Sequence, residues 1–230
     1  LLLCCMVLTM LPTTVLAADG PMDTIPKYDV SIDVYNRTSD ISIKDSRSYY
    51  IYSSVPDKLR DTWAWDKKIF IKGDKTAPHV FIDGVNIEMS PSSKGPAIEL
   101  NKKASAYIYF IGKNSSLQGA DGRAAIQKNR SEGQLYVLAR TGTTVTCKGG
   151  YRAAGIGGSW AIRNIGDSMF NMDMYGHGVN MHFGSQSNPD YWGGTINATG
   201  GEYGAGIGAG SWGHSGHSGN TIHGGAGERL

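Results

Sequence analysis

Thr144-Val145-Thr146-Cys147-Lys148-Gly149-Gly150, followed by Ala154-Gly155-Ile156-Gly157, recurs 51 residues later as Thr195-Ile196-Asn197-Ala198-Thr199-Gly200-Gly201 and Ala205-Gly206-Ile207-Gly208. Order, spacing and residue type agree in both copies, which marks a repeated structural unit rather than a chance match between glycine-rich windows. Each copy is followed by a Ser-Trp pair, Ser159-Trp160 and Ser211-Trp212, the second displaced by one further residue. Alternation assigns the sides of the repeated strand: Val145 and Cys147 match Ile196 and Ala198, while Thr144, Thr146 and Lys148 match Thr195, Asn197 and Thr199. The first set is small and apolar and the second is polar, so the first is expected to face a core. Cys147 is then a small buried hydrophobe rather than a reactive thiol.

Working outward, Gly95-Pro96-Ala97-Ile98 and Arg123-Ala124-Ala125-Ile126 read as earlier copies of the Ala-Gly-Ile element. Ile98, Ile126 and Ile156 stand 28 and 30 residues apart. These intervals are the length of one solenoid turn, and the doubled interval from Ile156 to Ile207 is expected to hold one divergent turn near 178–184. Further strands are predicted at 28–35, 40–44, 49–53, 68–71, 79–82, 107–111 and 134–139, each bounded by turn-forming residues. A short turn of helix is expected within 56–65. The predicted class is all-β, a right-handed parallel β-helix (solenoid) of glycine-rich repeats, truncated at the C-terminus. Right-handedness follows the general crossover preference. The isoleucines form one apolar column, because a single turn cannot cover its own apolar edge but stacked turns can. The run 219–225 reads as the start of another turn.

Composition agrees with this class. Thirty-two glycines are about twice the usual share, without collagen periodicity. A net charge of +2 and the lack of a basic run argue against a nucleic-acid partner. Residues 1–17, an apolar run ending Val15-Leu16-Ala17, read as a secretory signal peptide. They are too short for a confident membrane span, and no later segment resembles one. Cys4 and Cys5 fall within that leader, leaving Cys147 alone in the mature chain with no intrachain disulfide. Three parts are expected: the signal peptide 1–17, an N-terminal cap or irregular first turns at 18–65, and solenoid repeats from 66 to 230. The localisation expected is secreted or cell-surface.

The run Val80-Phe81-Ile82-Asp83-Gly84-Val85-Asn86-Ile87 through Gly95-Pro96-Ala97-Ile98-Glu99-Leu100 resembles the opening turns of a bacterial surface-protein family. The continuation through Ala124-Ala125-Ile126-Gln127, Thr144-Val145-Thr146 and Ala154-Gly155-Ile156-Gly157-Gly158 is similar to it as well. Its members are glycine-rich, parallel β-helix-like proteins exported mainly by Firmicutes of gut type and often labelled carbohydrate-binding-domain-containing. The resemblance covers about 66 to 225, with 170–190 departing from the pattern. It implies a large extracellular protein whose repeats form a stalk, an adhesive face or a glycan-contact surface, and it transfers no catalytic residue.

Three groups of side chains carry candidate chemistry. Trp160, Trp192, Trp212, Tyr191 and Tyr203 stand at expected turn ends or in loops, where they either stack on sugar rings or cover glycine corners. Tyr175-Gly176-His177-Gly178 resembles the Gly-His-Gly element of β-helical polygalacturonases. Such hydrolysis also needs a pair of carboxylates, and no Asp-Asp pair precedes His177 at a suitable spacing, so a turn or surface His is the simpler reading. His214, His217 and His223 are close enough in sequence to gather a metal ion, but Ser and Gly between them read as a solvated loop. No catalytic residue, metal site or cofactor is assigned. The leading expectation is a non-catalytic secreted or surface protein that contacts polysaccharide, host or cell-wall glycans, or host macromolecules through the solenoid side. The alternatives are a structural spacer on the cell surface and a β-helical polysaccharide hydrolase or lyase.

Overall fold

The computed structural model describes residues 26–73, 75–93, 95–100, 103–128, 133–163, 178–185, 190–214 and 222–224. The fold is nearly all β, with three parallel sheets. Sheet 1 contains Val30–Asp33, Ser48–Tyr52, His79–Asp83, Ala106–Ile111, Leu135–Ala139 and Met181–Phe183. Sheet 2 contains Asn86–Glu88, Ser115–Gln118, Thr144–Lys148 and Thr195–Thr199. Sheet 3 contains Ile41–Ile43, Ile69–Ile71, Ile98–Leu100, Ile126–Gln127, Ile156–Gly157 and Ile207–Gly208. From residue 79 onward the chain visits sheet 1, sheet 2 and sheet 3 in that order, four times. The predicted strands fall on observed ones, and the helical turn is the short 3-10 segment Asp57–Leu59.

Sheet 3 shows why the stack holds together. Ile41, Ile69, Ile98, Ile126, Ile156 and Ile207 are consecutive register partners, so one isoleucine lies against the next through the whole sheet. The predicted column is present, and two residues upstream extend it. Sheet 2 adds Ile87, Leu117, Cys147 and Ala198 in one register line, and sheet 1 adds Ile51, Ile82, Phe110 and Ala139 in another. Of these fourteen residues twelve are buried members of one hydrophobic cluster, and Ala198 and Ile207, at the last pass, are only partly buried. Val145 and Cys147 face inward, while Thr146 and Lys148 are exposed, as alternation requires.

Close approach between passes is made possible by glycine. The Gly150 N–H donates to the Arg123 carbonyl at 2.9 Å, and a Cβ on Gly150 would collide with the Ala120 carbonyl oxygen. Removing the side chain is the only way the backbone can turn there at this spacing.

Two expectations are corrected. Ile156 pairs directly with Ile207, so no extra turn stands between them in sheet 3. The longer interval belongs to a single pass whose sheet 1 strand is Met181–Phe183. The one-residue displacement of the second Ser-Trp pair is kept in the pairing: Trp212 is in register with Ala161, one residue past Trp160, within a small fourth sheet of Ala161–Arg163, Ser211–His214 and Ile222–Gly224. Ile222–Gly224 then pairs antiparallel with Ser211–His214, so it does not begin another parallel turn. The signal-peptide run 1–17, with Cys4 and Cys5, lies outside the described residues. Among the described residues no helix is long and apolar enough to cross a membrane.

Two outcomes follow from burial. Ile156 is fully buried with an isoleucine on either side, so Ile156→Ala should cost about 2–5 kcal/mol in urea unfolding. Ile207, at the last and partly exposed position, should cost less than half as much on the same substitution. The Cys147 thiol is fully enclosed and burial pushes its pKa up to about 12. Its thiolate is therefore scarce at neutral pH. Alkylation at pH 8, read by mass spectrometry at the Cys147 peptide, should be negligible in the native chain and complete in guanidinium.

Candidate functional site: a polar groove over sheet 2

The outward face of sheet 2 is polar along its whole width. Asn86, Ser116, Thr146 and Asn197 form one register line, and Glu88, Gln118, Lys148 and Thr199 form the next. The pass before Asn86–Glu88 does not supply a sheet 2 strand. Its segment 56–66 instead loops outward and touches the sheet by one parallel bridge, Trp65 to Ile87. The overhang leaves a cavity of about 650 Å³ between the loop and the sheet. Asp57, Arg60 and Asp61 line it from the loop; Asn86, Ser116, Thr144 and Thr146 line it from the strands; Lys113 and Asn114 close its end. A smaller hollow of about 130 Å³ adjoins it, sharing Asp61, Asn86 and Ser116 and adding Trp63, Glu88 and Gln118.

The loop is fastened to the sheet by directed contacts. The Asn86 side-chain amide donates to the Arg60 carbonyl at 2.9 Å, and its oxygen accepts the Ser116 N–H at 3.0 Å. One side chain thus joins the loop, its own strand and the next strand. The Trp65 N–H donates to the Asn86 carbonyl at 2.8 Å, and the Trp65 indole N–H donates to the Arg37 carbonyl at 2.8 Å. Trp65 is buried in the core, where its ring and its satisfied N–H together pin the loop's end. The Arg60 guanidinium donates to the Gly84 carbonyl, the Val55 carbonyl and Asp57 Oδ1, at 3.2, 3.2 and 3.3 Å. Gly84 has φ +61°, and a Cβ there would fall 2.7 Å from Arg60 Nη1. Glycine is therefore required both by the turn and by the arginine.

Asp57 Oδ1 also accepts from Lys113 Nζ at 2.9 Å. Lys113 and then Arg60 hold the Asp57 carboxyl below the usual carboxylate range. A lowered folded-state value means that this tie is present at neutral pH and is lost only as pH falls through that lowered value. The site is wide, polar and open, with hydroxyl, amide and carboxylate groups able to donate to and accept from a polyhydroxylated ligand. Asp57, Asp61 and Glu88 do not form a metal centre: among the described residues no group of three His, Cys, Asp or Glu side chains could hold an ion.

The five aromatic residues singled out from sequence lie elsewhere. Trp192 is buried, its ring centroid 5.1 Å from that of Tyr109, and Tyr191 meets it edge-on at 4.6 Å. Both belong to a second apolar cluster with Tyr50, Phe81 and Leu138 on the other face of sheet 1 from the main core. Trp160 and Tyr203 flank the Arg152 guanidinium, 5.1 and 6.0 Å from their ring centroids, with Tyr151 at 4.8 Å. Tyr203 is 55% exposed. Trp212 is placed by backbone register alone, opposite Ala161. The structure therefore groups Tyr191 with Trp192, and Trp160 with Tyr203, but does not bring the five together. His177 and His217 lie outside the described residues, while His214 and His223 occupy the strands Ser211–His214 and Ile222–Gly224. The groove residues went unnoticed in the sequence; the available signals were the outward polar alternation of 144–148 and the gap in strand pattern at 56–66.

Asn86→Ala removes the bond to the loop and leaves the Ser116 N–H without its acceptor. Urea unfolding should show a loss of about 1–3 kcal/mol. Hydrogen exchange followed by mass spectrometry should show faster exchange at 57–65 and unchanged protection at 126–127, because the sheet 3 column is untouched.

Comparison with protein-family models, with curated proteins and with solved structures gives no match for this chain.

Proposed function

We propose that the chain is a secreted or cell-surface protein that binds polysaccharide, without catalysis, in the groove over sheet 2. In this reading its three parallel sheets are the faces of a right-handed β-helix. Support for the coil comes from the repeated order of sheet 1, sheet 2 and sheet 3 with in-register parallel pairing throughout. Its hand follows the crossover sense that parallel strands favour. Export rests on the apolar run and Val15-Leu16-Ala17 of the leader.

The observation that carries the binding reading is the 650 Å³ groove, open along the sheet and walled by Asn86, Asn114, Ser116, Thr144 and Thr146. Neighbouring strands lie roughly 4.8 Å apart, a spacing comparable with the length of one pyranose unit. Each strand can therefore offer a hydroxyl or amide to a successive sugar. Water is displaced without loss only where a ligand reproduces its hydrogen bonds, and a polyhydroxylated chain does so on such a face. Asp57 is not suited to the proton-donating acid of a glycosidase, which needs a raised pKa, because Lys113 and then Arg60 hold its carboxyl below the usual range.

Ser116 lines both hollows from an exposed strand position, so Ser116→Trp should fill the groove while keeping a residue suited to strands. On a glycan array the native chain should bind at least one polysaccharide, and Ser116→Trp should weaken that binding at least tenfold with thermal stability unchanged. Uniform silence of the native chain across neutral, amino-bearing and acidic glycans would remove the carbohydrate reading.

A further inference from the structure

We infer that the groove selects uncharged or amino-bearing glycans and rejects those carrying carboxylate or sulfate groups; this rests on the proposal that the groove holds a glycan. The two cations that line the groove are already committed. Arg60 uses Nε, Nη1 and Nη2 on Asp57, Gly84 and Val55. Its recognition edge is turned inward to fasten the loop, and the bidentate geometry with which a guanidinium holds a carboxylate or sulfate is spent inside the protein. Lys113 gives one donor to the same Asp57 oxygen, so its charge is already offset by that carboxylate. An incoming anion would have to displace Asp57 and the backbone carbonyls from the Arg60 fork, and at Lys113 it meets a cation beside a carboxylate.

The remaining charges point the other way. Asp61 and Glu88 are exposed and line the hollow beside Trp63. Neither takes part in an ion pair among the described residues, where the five pairs involve other carboxylates. The lining as a whole carries Asp57, Asp61 and Glu88 against Arg60 and Lys113, an excess of one negative charge. Lys148 shares the Glu88 and Gln118 register line but stands two strands on and lines neither hollow. A uronate or sulfate ester laid along the groove therefore meets uncompensated carboxylates. An ammonium group of a de-N-acetylated amino sugar meets two carboxylates and an indole, a combination that attracts cations. Uncharged sugars use the hydroxyl and amide groups and are indifferent to the excess charge.

The test uses β-1,4-linked hexamers of glucose, N-acetylglucosamine, glucosamine and glucuronate, titrated by calorimetry against the native chain and against Ser116→Trp. Only the binding that Ser116→Trp abolishes is counted as groove binding. At least one uncharged or amino-bearing hexamer should bind tenfold or more tightly than the glucuronate hexamer. The double variant Asp61→Asn, Glu88→Gln should shrink that ratio to threefold or less, chiefly by weakening glucosamine and strengthening glucuronate. Groove binding of glucuronate equal to or tighter than the others would overturn the selectivity while leaving glycan binding standing. A ratio unmoved by the double variant would likewise overturn the charge mechanism. Absence of groove binding by all four, together with silence on the wider array, would overturn both readings.

Discussion

Everything in this molecule depends on parallel strands stacking in register, so that equivalent residues of successive passes touch. Sheet 3 is the narrowest expression of that constraint. Its strands are only two or three residues long, too short for ladder hydrogen bonds alone to fix them. The isoleucine at the head of each supplies the specificity: slipping any strand by one residue would send that side chain to the opposite face. Full burial of each isoleucine is worth roughly 1.5–3 kcal/mol before ordering entropy is subtracted. The column works only if the chain returns to the same height after every pass. That return is where Gly150 matters, since its bare Cα lets one corner rest on the carbonyl of the corner before it. Burial and backbone clearance are two sides of one requirement.

The groove arises where that regularity is broken. The pass that contains Ser48–Tyr52 and Ile69–Ile71 keeps its places in sheets 1 and 3 but omits the sheet 2 strand. Its surplus residues cannot enter the core, so they fold back over the next strands. Trp65 closes the opening in the core from within, and Asn86 and Arg60 hold the outside. A defect in the stack thus becomes a wall. The wall is firm because its polar anchors are satisfied, Asn86 on the Arg60 carbonyl and the Arg60 guanidinium on the Gly84 and Val55 carbonyls.

This division explains how much was legible in the sequence. The parallel, all-β class could be read because its signals are local: the alternation of Val145 and Cys147 with Thr144 and Thr146, and isoleucine following small residues at Ile98, Ile126, Ile156 and Ile207. The register of Ile98, Ile126, Ile156 and Ile207 could be read for the same reason. The divergent turn expected near 178–184 is absent because spacing alone does not separate two short turns from one long pass, and Ile156 pairs directly with Ile207. The groove was not legible because no short stretch contains it. Asp57 and Lys113 meet through the tertiary fold, far apart in the chain, and Asn86 gains its meaning only when Arg60 lies above it. Aromatic residues, by contrast, are conspicuous one residue at a time.

The same stacking that builds the core also decides which surface can meet a sugar. On the outward face of sheet 1, His79, Tyr107, Tyr136 and His182 are register partners. Their rings stack at 4.7, 4.5 and 4.5 Å between centroids, within 14° of parallel. Rings arranged in this way spend their faces on one another and turn their edges outward. Sugar stacking needs a free aromatic face, so an aromatic ladder of this kind favours cohesion between passes over recognition. Sheet 2 behaves differently because hydroxyl and amide side chains do not exhaust their hydrogen-bonding capacity on a like neighbour. Ser116, Thr146 and Asn197 can follow one another in register and still offer donors and acceptors to the outside. In a stack of in-register strands, then, aromatic columns close a face and polar columns leave it open. That physical difference directs the proposed recognition to sheet 2.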